Sequence, residues 1–172
     1  GKLELDSVVV IGLSSAGPTP FWSAEGYVGS KQLERLRQIL TSCEGKFVCI
    51  LLHHPVRGSK IAARKQLRNY RQLREIFLEN GVNLVLHGHM HLNMEYDLSP
   101  DIPAFCTASA SSVKSGRAAS YRVIDISRNK SGFRIASKLK VLNLETNILE
   151  NSGMREWEVN KVGANSYGPP SQ

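Results

Sequence analysis

The sequence lacks the features that mark membrane-spanning or disulfide-bonded proteins. Its 172 residues contain no apolar run that approaches the roughly 20 residues a membrane-spanning helix needs. The three cysteines, Cys43, Cys49 and Cys106, form no close Cys-x-x-Cys pair, and the last two lie within apolar runs. Unpaired, apolar-flanked cysteines are typical of a reducing compartment, so we expect a cytoplasmic protein without a disulfide scaffold.

The composition is that of a globular domain with an uneven charge. Apolar residues make up 41% and charged residues 22%, which is enough for a packed core in about one domain's length. The formal net charge is +7. Between positions 57 and 74 there is no acid but seven basic residues: Arg57, Lys60, Arg64, Lys65, Arg68, Arg71 and Arg74. Such a patch attracts anions, although along a helix it is most simply a solvated face.

Apolar runs and helical stripes alternate along the first ninety residues. The pattern predicts strands over 8–13, 47–52 and 82–86, and helices over 30–41 and 62–80. This order is typical of a layered α/β architecture. After residue 100, short strands follow one another without helices between them, so we predict mostly antiparallel strands there.

All five histidines lie between positions 53 and 91, each after a predicted strand. Ligands gather beyond the carboxyl ends of strands in α/β sheets, and imidazole is the commonest metal-binding side chain. On an extended segment His89 and His91 would face the same way. One strand-end histidine is usually a satisfied polar residue. Two motifs together, His53-His54-Pro55 and Gly88-His89-Met90-His91, indicate a metal site.

These two motifs resemble blocks of a known family, the calcineurin-like metallophosphoesterases. His53-His54-Pro55 is similar to the strand-end His-His-Pro-Pro block, with Val56 in place of the second proline, and Gly88-His89-Met90-His91 matches the Gly-His-x-His block. The segment from 12 to 29 also resembles the connector of the cyclic-nucleotide-phosphodiesterase-like branch. The resemblance covers about residues 8–126 and implies a layered α/β/β/α sandwich.

Carried over residue by residue, the resemblance implies a dinuclear metal site. His53 and His89 would bind one divalent transition-metal ion and His91 the other, with Mn, Fe, Ni or Zn as candidates. His54 would support a ligand or the substrate by hydrogen bonding. A hydroxide bound to both metals would then hydrolyse a phosphate ester, most simply a phosphodiester. Arg57 and Lys60 follow the first motif and are weaker candidates for contacts to the substrate phosphate.

The first three blocks of the family do not occur in the sequence. The four aspartates, Asp6, Asp97, Asp101 and Asp125, lie in neither Asp-x-His nor Gly-Asp-x-x-Asp, and there is no Gly-Asn-His-Glu. We therefore expect residues 1–150 to be the C-terminal part of such a domain, with about a hundred further residues upstream. We expect 151–172 to be a C-terminal extension that is partly disordered at its end. Alone, the chain should bind metal weakly and hydrolyse little.

Two other hypotheses about the function of the chain stay open. The chain could be a non-catalytic remnant, or a module that binds anions with its basic face between 57 and 74. It could also associate with itself through sheet edges, because an unpaired edge is a template for pairing. Beyond a phosphate-ester substrate, we predict no stable nucleic-acid or membrane partner.

Overall fold

Two packed sheets, a separate two-stranded hairpin and two α-helices are the main elements of the computed structural model, which describes residues 1–58, 62–114 and 116–160. The first six strands, β1 to β6, are Lys2–Leu5, Val8–Gly12, Phe47–Leu52, Leu84–His87, Met94–Ser99 and Ile102–Cys106. The remaining strands, β7 to β11, are Val113–Lys114, Arg117–Ala118, Ser120–Arg128, Gly132–Asn143 and Ile148–Asn160. The helices are α1, Ser30–Thr41, and α2, Tyr70–Glu79.

The larger sheet is parallel in its centre and antiparallel at its edges. Its six strands lie in the order β1-β2-β3-β4-β6-β5, with β2, β3, β4 and β6 mutually parallel. The smaller sheet is antiparallel, with β10 between β11 and β9. The short β7 and β8 pair only with each other. The predicted layered α/β class, with mostly antiparallel strands after residue 100, is confirmed.

Alternate side chains of the parallel strands serve two different cores. In β2, Val9 and Ile11 pack with the helices, whereas Val8 and Val10 face the smaller sheet. The helix-side core includes Leu33, Leu36 and Leu40 of α1 and Leu73, Ile76 and Phe77 of α2. Between the sheets lie Phe47, Cys49, Leu84, Phe105, Phe133 and Ile135. Each fully buried side chain of this size contributes about 1.5–3 kcal/mol, so the larger sheet is held firmly from both faces.

The helix predicted over 30–41 is confirmed, but the one predicted over 62–80 is wrong in its first half. A single 3-10 turn covers Ala63–Lys65, and the α-helix begins only at Tyr70. The backbone between them is held by hydrogen bonds from Ala24 N to Arg64 O, Gly26 N to Gln66 O and Arg68 N to Gly26 O. These tertiary bonds replace the helical ones. The basic residues of this segment therefore do not share one helical face.

The last described strand, β11, pairs with β10 from Ile148 to Asn160. The predicted boundary after residue 150 falls inside this strand, and positions 161–172 of the predicted extension lie outside the described residues. No helix in the described part of the chain is long and apolar enough to span a membrane.

Candidate metal centre

The four parallel strands end level with one another and create a single carboxyl edge. Leu52 of β3 is in register with His87 of β4, and His87 is in register with Cys106 of β6. The chain segments that follow these strands are therefore neighbours in space, although they are far apart in sequence. This edge is where α/β sheets place their ligands, and it carries the histidines.

Three histidines meet at this carboxyl edge, and we call His53, His54 and His89 the histidine cluster. One ring nitrogen of each lies within 4.8 Å of those of the other two. His53 Nε2 is 3.1 Å from His89 Nδ1. Within the described residues no other group of three or more His, Cys, Asp or Glu side chains is gathered so closely, and this one includes no carboxylate.

His89 is held in an unusual state. Its backbone φ is +70°, in the left-handed region that non-glycine residues seldom adopt. Its Nε2 atom is buried and has no hydrogen-bond partner. Burial, together with the nearby His54 and His53, lowers the pKa of His89 to about 4. At neutral pH the ring is therefore uncharged, which is the form that binds metal ions.

His54 is fully engaged by the protein. Its Nδ1 lies 2.8 Å from Ser15 Oγ, and its Nε2 lies 3.1 Å from the carbonyl oxygen of Ala24. A carbonyl oxygen can only accept, so Nε2 carries the proton and Nδ1 accepts from the serine hydroxyl. Burial lowers the pKa of His54 and favours this neutral form. With both nitrogens occupied, His54 braces the cluster and offers no lone pair to an ion.

The loop before α1 closes over the buried His54. A Cβ atom at Gly26 would lie 2.4 Å from His54 Nδ1 and 2.8 Å from the carbonyl oxygen of Ser15. Both distances are too short for any side chain. Glycine is therefore required at position 26 because the imidazole fills the space where a side chain would begin.

His91 lies apart from the histidine cluster. Strand β4 ends at His87, and both His89 and His91 have positive φ, the latter +54°. The extended backbone on which we expected His89 and His91 to face the same way is therefore wrong. The His91 side chain instead borders a cavity of about 190 Å³ with Ser109, Ser112, Lys114 and Arg117. Its assignment to a second metal ion stays a prediction.

The two substrate candidates differ in what the structure describes. The guanidinium carbon of Arg57 lies 4.7 Å from the centre of the Tyr96 ring, and the Tyr96 hydroxyl is 2.8 Å from His87 Nε2. Burial lowers the pKa of His87 to about 4, so at neutral pH it is an uncharged residue at the end of β4. Lys60 lies outside the described residues.

Sequence reasoning missed four residues around the cluster: Ser15, Ala24, Gly26 and Lys65. Ser15 could have been found, because it follows β2, the parallel neighbour of the strand that ends before His54. Lys65 belongs to the basic segment, and its positive charge also lowers the pKa of His89. The position of Lys65 depends on the tertiary backbone hydrogen bonds that interrupt the predicted helix. It could therefore not be predicted from the spacing of apolar residues in the sequence.

The histidine cluster has the donors that a transition-metal ion needs. Two imidazole nitrogens 3.1 Å apart can contact one ion, because metal–nitrogen bonds are about 2.0–2.1 Å long. A neutral imidazole has one lone pair, so a His89 ring that binds an ion through Nδ1 carries its proton on Nε2, a buried atom with no hydrogen-bond partner among the described residues. Because the His89 ring is uncharged at neutral pH, a metal ion does not have to displace a proton from it. The cluster therefore fits a transition-metal ion at its His53 and His89 side.

Comparisons with known proteins support the fold. No family model and no curated protein matches the chain. A dimetal phosphatase from Danio rerio is similar in structure, with 18% identity, a TM-score of 0.50, and coverage of 66% of this chain and 36% of that one. GAP50, the anchor in the inner membrane complex of Plasmodium, is 12% identical with a TM-score of 0.53, covering 95% of this chain and 55% of that one.

These likenesses show the fold alone. The chain has the layered architecture of metallophosphoesterase-type proteins, as the two histidine motifs led us to expect. It spans about a third to a half of the length of these structures. The predicted cyclic-nucleotide-phosphodiesterase-like branch stays a prediction.

Proposed function

We propose that this chain is the C-terminal part of a metal-dependent phosphoester hydrolase. The observation that carries the proposal is the pairing of His53 Nε2 and His89 Nδ1 at 3.1 Å, beside a buried and unpartnered His89 Nε2. This pairing lies at the carboxyl edge of a sheet whose fold matches that of a dimetal phosphatase. His89, whose pKa is lowered to about 4, is uncharged at neutral pH, and this is the form in which an imidazole binds a metal ion.

The residues divide into those that would hold a metal and those that keep the holders in place. His53 and His89 would bind one ion, and His91 would bind a second one. Mn, Fe, Ni and Zn suit imidazole ligands better than Mg or Ca. When bound, such ions polarise a phosphoryl oxygen and lower the pKa of water, which supports phosphoester hydrolysis near neutral pH.

The chain's own side chains orient the site and set its charge. Ser15 and the Ala24 carbonyl lock the His54 ring in one tautomer, and this ring packs 4.4 Å from the His89 ring, centroid to centroid. Lys65 places a positive charge close enough to affect His89. The Arg57 guanidinium lies over the Tyr96 ring of β5. These two cations are suited to neutralise the charge of a phosphate group.

We also propose the kind of substrate and the number of metal ions that the family resemblance implies. The substrate would be a phosphodiester, and the complete site would hold two ions. The histidine cluster has no carboxylate among the described residues, and a pair of ions needs a bridging carboxylate. Residues outside this chain would have to supply it, so we expect the chain alone to hydrolyse little.

The test uses a longer polypeptide that contains this chain and the three upstream blocks. It is incubated with Mn²⁺ and bis-p-nitrophenyl phosphate, and release of nitrophenol is followed. We expect turnover that is lost in His89→Ala and retained in Lys130→Gln, a charge change in the turn after β9. Equal rates with and without His89 would refute the proposal.

A non-catalytic role is the second candidate, and the likeness to GAP50 favours it. That match covers 95% of the chain, and that protein is an anchor. An anchoring role would use the exposed basic side chains between 57 and 74, including Arg64 and Arg68. Binding to phosphatidylserine vesicles that weakens with salt, and needs no metal, in a protein without hydrolytic activity would support it.

Self-association through sheet edges remains a separate proposal. Strand β1 forms one edge of the larger sheet, and its Leu3 and Leu5 side chains are each 55% exposed. Strand β11 forms a long edge of the smaller sheet. Light scattering of the chain at several concentrations tests this idea, and a clean monomer at all of them would refute it.

A further inference from the structure

A small basic cavity lies beside the histidine cluster on the same carboxyl edge. It has a volume of about 190 Å³ and is bordered by His91, Ser109, Ser112, Lys114 and Arg117. The first of these follows β4, and the other four follow β6, the parallel neighbour of β4. The border has two cations, two hydroxyls and an imidazole but no carboxylate, so the cavity is suited to an anion.

The side chains of Lys114 and Arg117 lie opposite each other without a negative charge between them among the described residues. In the hairpin formed by β7 and β8, Lys114 is paired directly with Arg117, and Val113 with Ala118. Directly opposite residues of an antiparallel pair project from the same face, and like charges there destabilise the pair. Neither cation forms an ion pair with any described carboxylate. An anion between them would turn this repulsion into attraction.

The loop that carries Ser109 and Ser112 is held by hydrogen bonds that do not involve the two cations. Asn93 Oδ1 accepts bonds from the amide of Ala108, at 2.9 Å, and from the hydroxyl of Ser120, at 3.0 Å. The Ser109 and Ser112 carbonyls accept bonds from the amides of Ser120 and Ala119, at 3.2 and 2.6 Å. The two serines are therefore held before any ligand arrives, which lowers the entropic cost of binding.

We infer that the cavity between His91, Ser109, Ser112, Lys114 and Arg117 binds a phosphate group of the substrate other than the one at the histidine cluster. The inference deepens the proposed function, on which it rests for the identity of the substrate. It names the substrate class as a phosphoester that carries a second phosphate. The serine hydroxyls can donate to the phosphate oxygens, and the two cations match its charge.

The first experiment measures binding without metal and without turnover. Inorganic phosphate is titrated into the isotope-labelled chain at constant ionic strength, and the amide signals of Ser109, Ser112 and Lys114 are followed by NMR. The double variant Lys114→Gln/Arg117→Gln is compared with a control, Arg128→Gln/Lys130→Gln, which removes the same charges from the turn at the other end of β9.

We expect saturable shifts at these amides in the wild type and in the control. The double variant should bind at least about tenfold more weakly, because it loses two charge-assisted contacts. Lys114→Glu is a second variant that keeps the hairpin paired, since it places opposite charges face to face, and it should abolish binding. Absent shifts in the wild type, or equal affinity in all four proteins, would overturn the inference.

The second experiment asks where the phosphate comes from, and it uses the longer, metal-loaded polypeptide. The double variant should raise KM for a phosphodiester that also carries a terminal phosphate group, such as a dinucleotide with a 5′-phosphate, and leave KM for bis-p-nitrophenyl phosphate unchanged. A weaker product inhibition by phosphate with both KM values unchanged would assign the cavity to the released product and overturn the second-phosphate assignment. Loss of all activity in the wild type refutes the proposed function, whereas the NMR result would still stand.

Discussion

The histidine cluster and the basic cavity are two neighbouring regions of one carboxyl edge, and they have opposite electrostatic needs. The cluster gathers three imidazoles, burial lowers the pKa of His54 and His89 among them, and one buried nitrogen, His89 Nε2, has no partner among the described residues. The cavity gathers two exposed cations without a described counter-ion, Lys114 and Arg117. The first region is suited to a cation and the second to an anion, and our two proposals rest on this difference.

The two regions also differ in how they are held. The cluster is braced from inside, by Ser15 and Gly26 against the buried His54 ring. The cavity is closed by a two-stranded hairpin on the surface. Changes in the first region remove or crowd buried groups and should cost several kcal/mol, whereas changes in the second should be small and sensitive to salt.

The largest effect that we expect is a loss of metal affinity, and it should follow substitutions in the histidine cluster but not in the basic cavity. His89→Ala should lower the affinity of the chain for Zn²⁺ by about 100-fold or more, which is beyond the roughly 10–100-fold typical of residues that only orient a ligand. His54→Gln should fall within that smaller range, since both of its ring nitrogens are already engaged. Calorimetric titration with Zn²⁺ measures all three proteins.

The matched control for this prediction comes from the cavity. Lys114→Gln removes a charge on the same edge without touching the cluster, so its Zn²⁺ affinity should equal that of the wild type. An affinity loss in Lys114→Gln as large as that in His89→Ala would show that the two regions are not separate sites.

Crowding His54 should give the next largest effect. A methyl group at position 26 would lie 2.4 Å from His54 Nδ1 and 2.8 Å from the Ser15 carbonyl oxygen, so the buried ring or the backbone would have to shift. We therefore expect Gly26→Ala to lower the free energy of unfolding by about 3 kcal/mol. Urea denaturation measures it. Gly17→Ala, in the same loop with no atom near the new methyl group, is the control and should lie within about 0.5 kcal/mol of the wild type.

The carboxyl edge of the larger sheet could be predicted from the sequence, but the backbone conformation of its histidines could not. The two histidine motifs were sufficient to predict the carboxyl edge, because strand-end position follows from apolar runs that stop at His53 and His87. The backbone conformation of His89 and His91 could not be predicted. Their positive φ values depend on how the segment after β4 folds back, which is a tertiary effect.

The structure of the loop between β6 and β9 could not be predicted from its sequence either. Its small polar residues, with Lys114 and Arg117 nearby, could equally form an ordinary turn. Only the register of β7 with β8 sets the two cations opposite each other. The apolar residue Leu67 likewise lies at helical spacing from Tyr70, the first residue of α2, but Leu67 is bridged to Gly26 and is not part of the helix.

Removing the hydroxyl that supports His54 should have a smaller effect than crowding the ring. Ser15 is 1% exposed, and its Oγ contacts both the ring Nδ1 and the backbone amide of His54. Ser15→Ala leaves these two buried groups without a partner, which should cost about 2 kcal/mol. Thermal unfolding measures it. The exposed neighbour Ser14→Ala should change stability by less than about 0.5 kcal/mol, and an equal loss in both variants would contradict the assigned role of Ser15.

The smallest effect should have the opposite sign. Lys114→Glu converts the like-charged pair with Arg117 into an ion pair, so the protein should become more stable by about 0.5 kcal/mol at low salt. The gain should fade at high salt, because both side chains are exposed and their attraction is screened. Thermal unfolding at two salt concentrations measures it, with Lys130→Glu as a control that should gain nothing of the kind. A loss of stability in Lys114→Glu would mean that the two cations do not repel each other, and the cavity would lose its main argument for an anion.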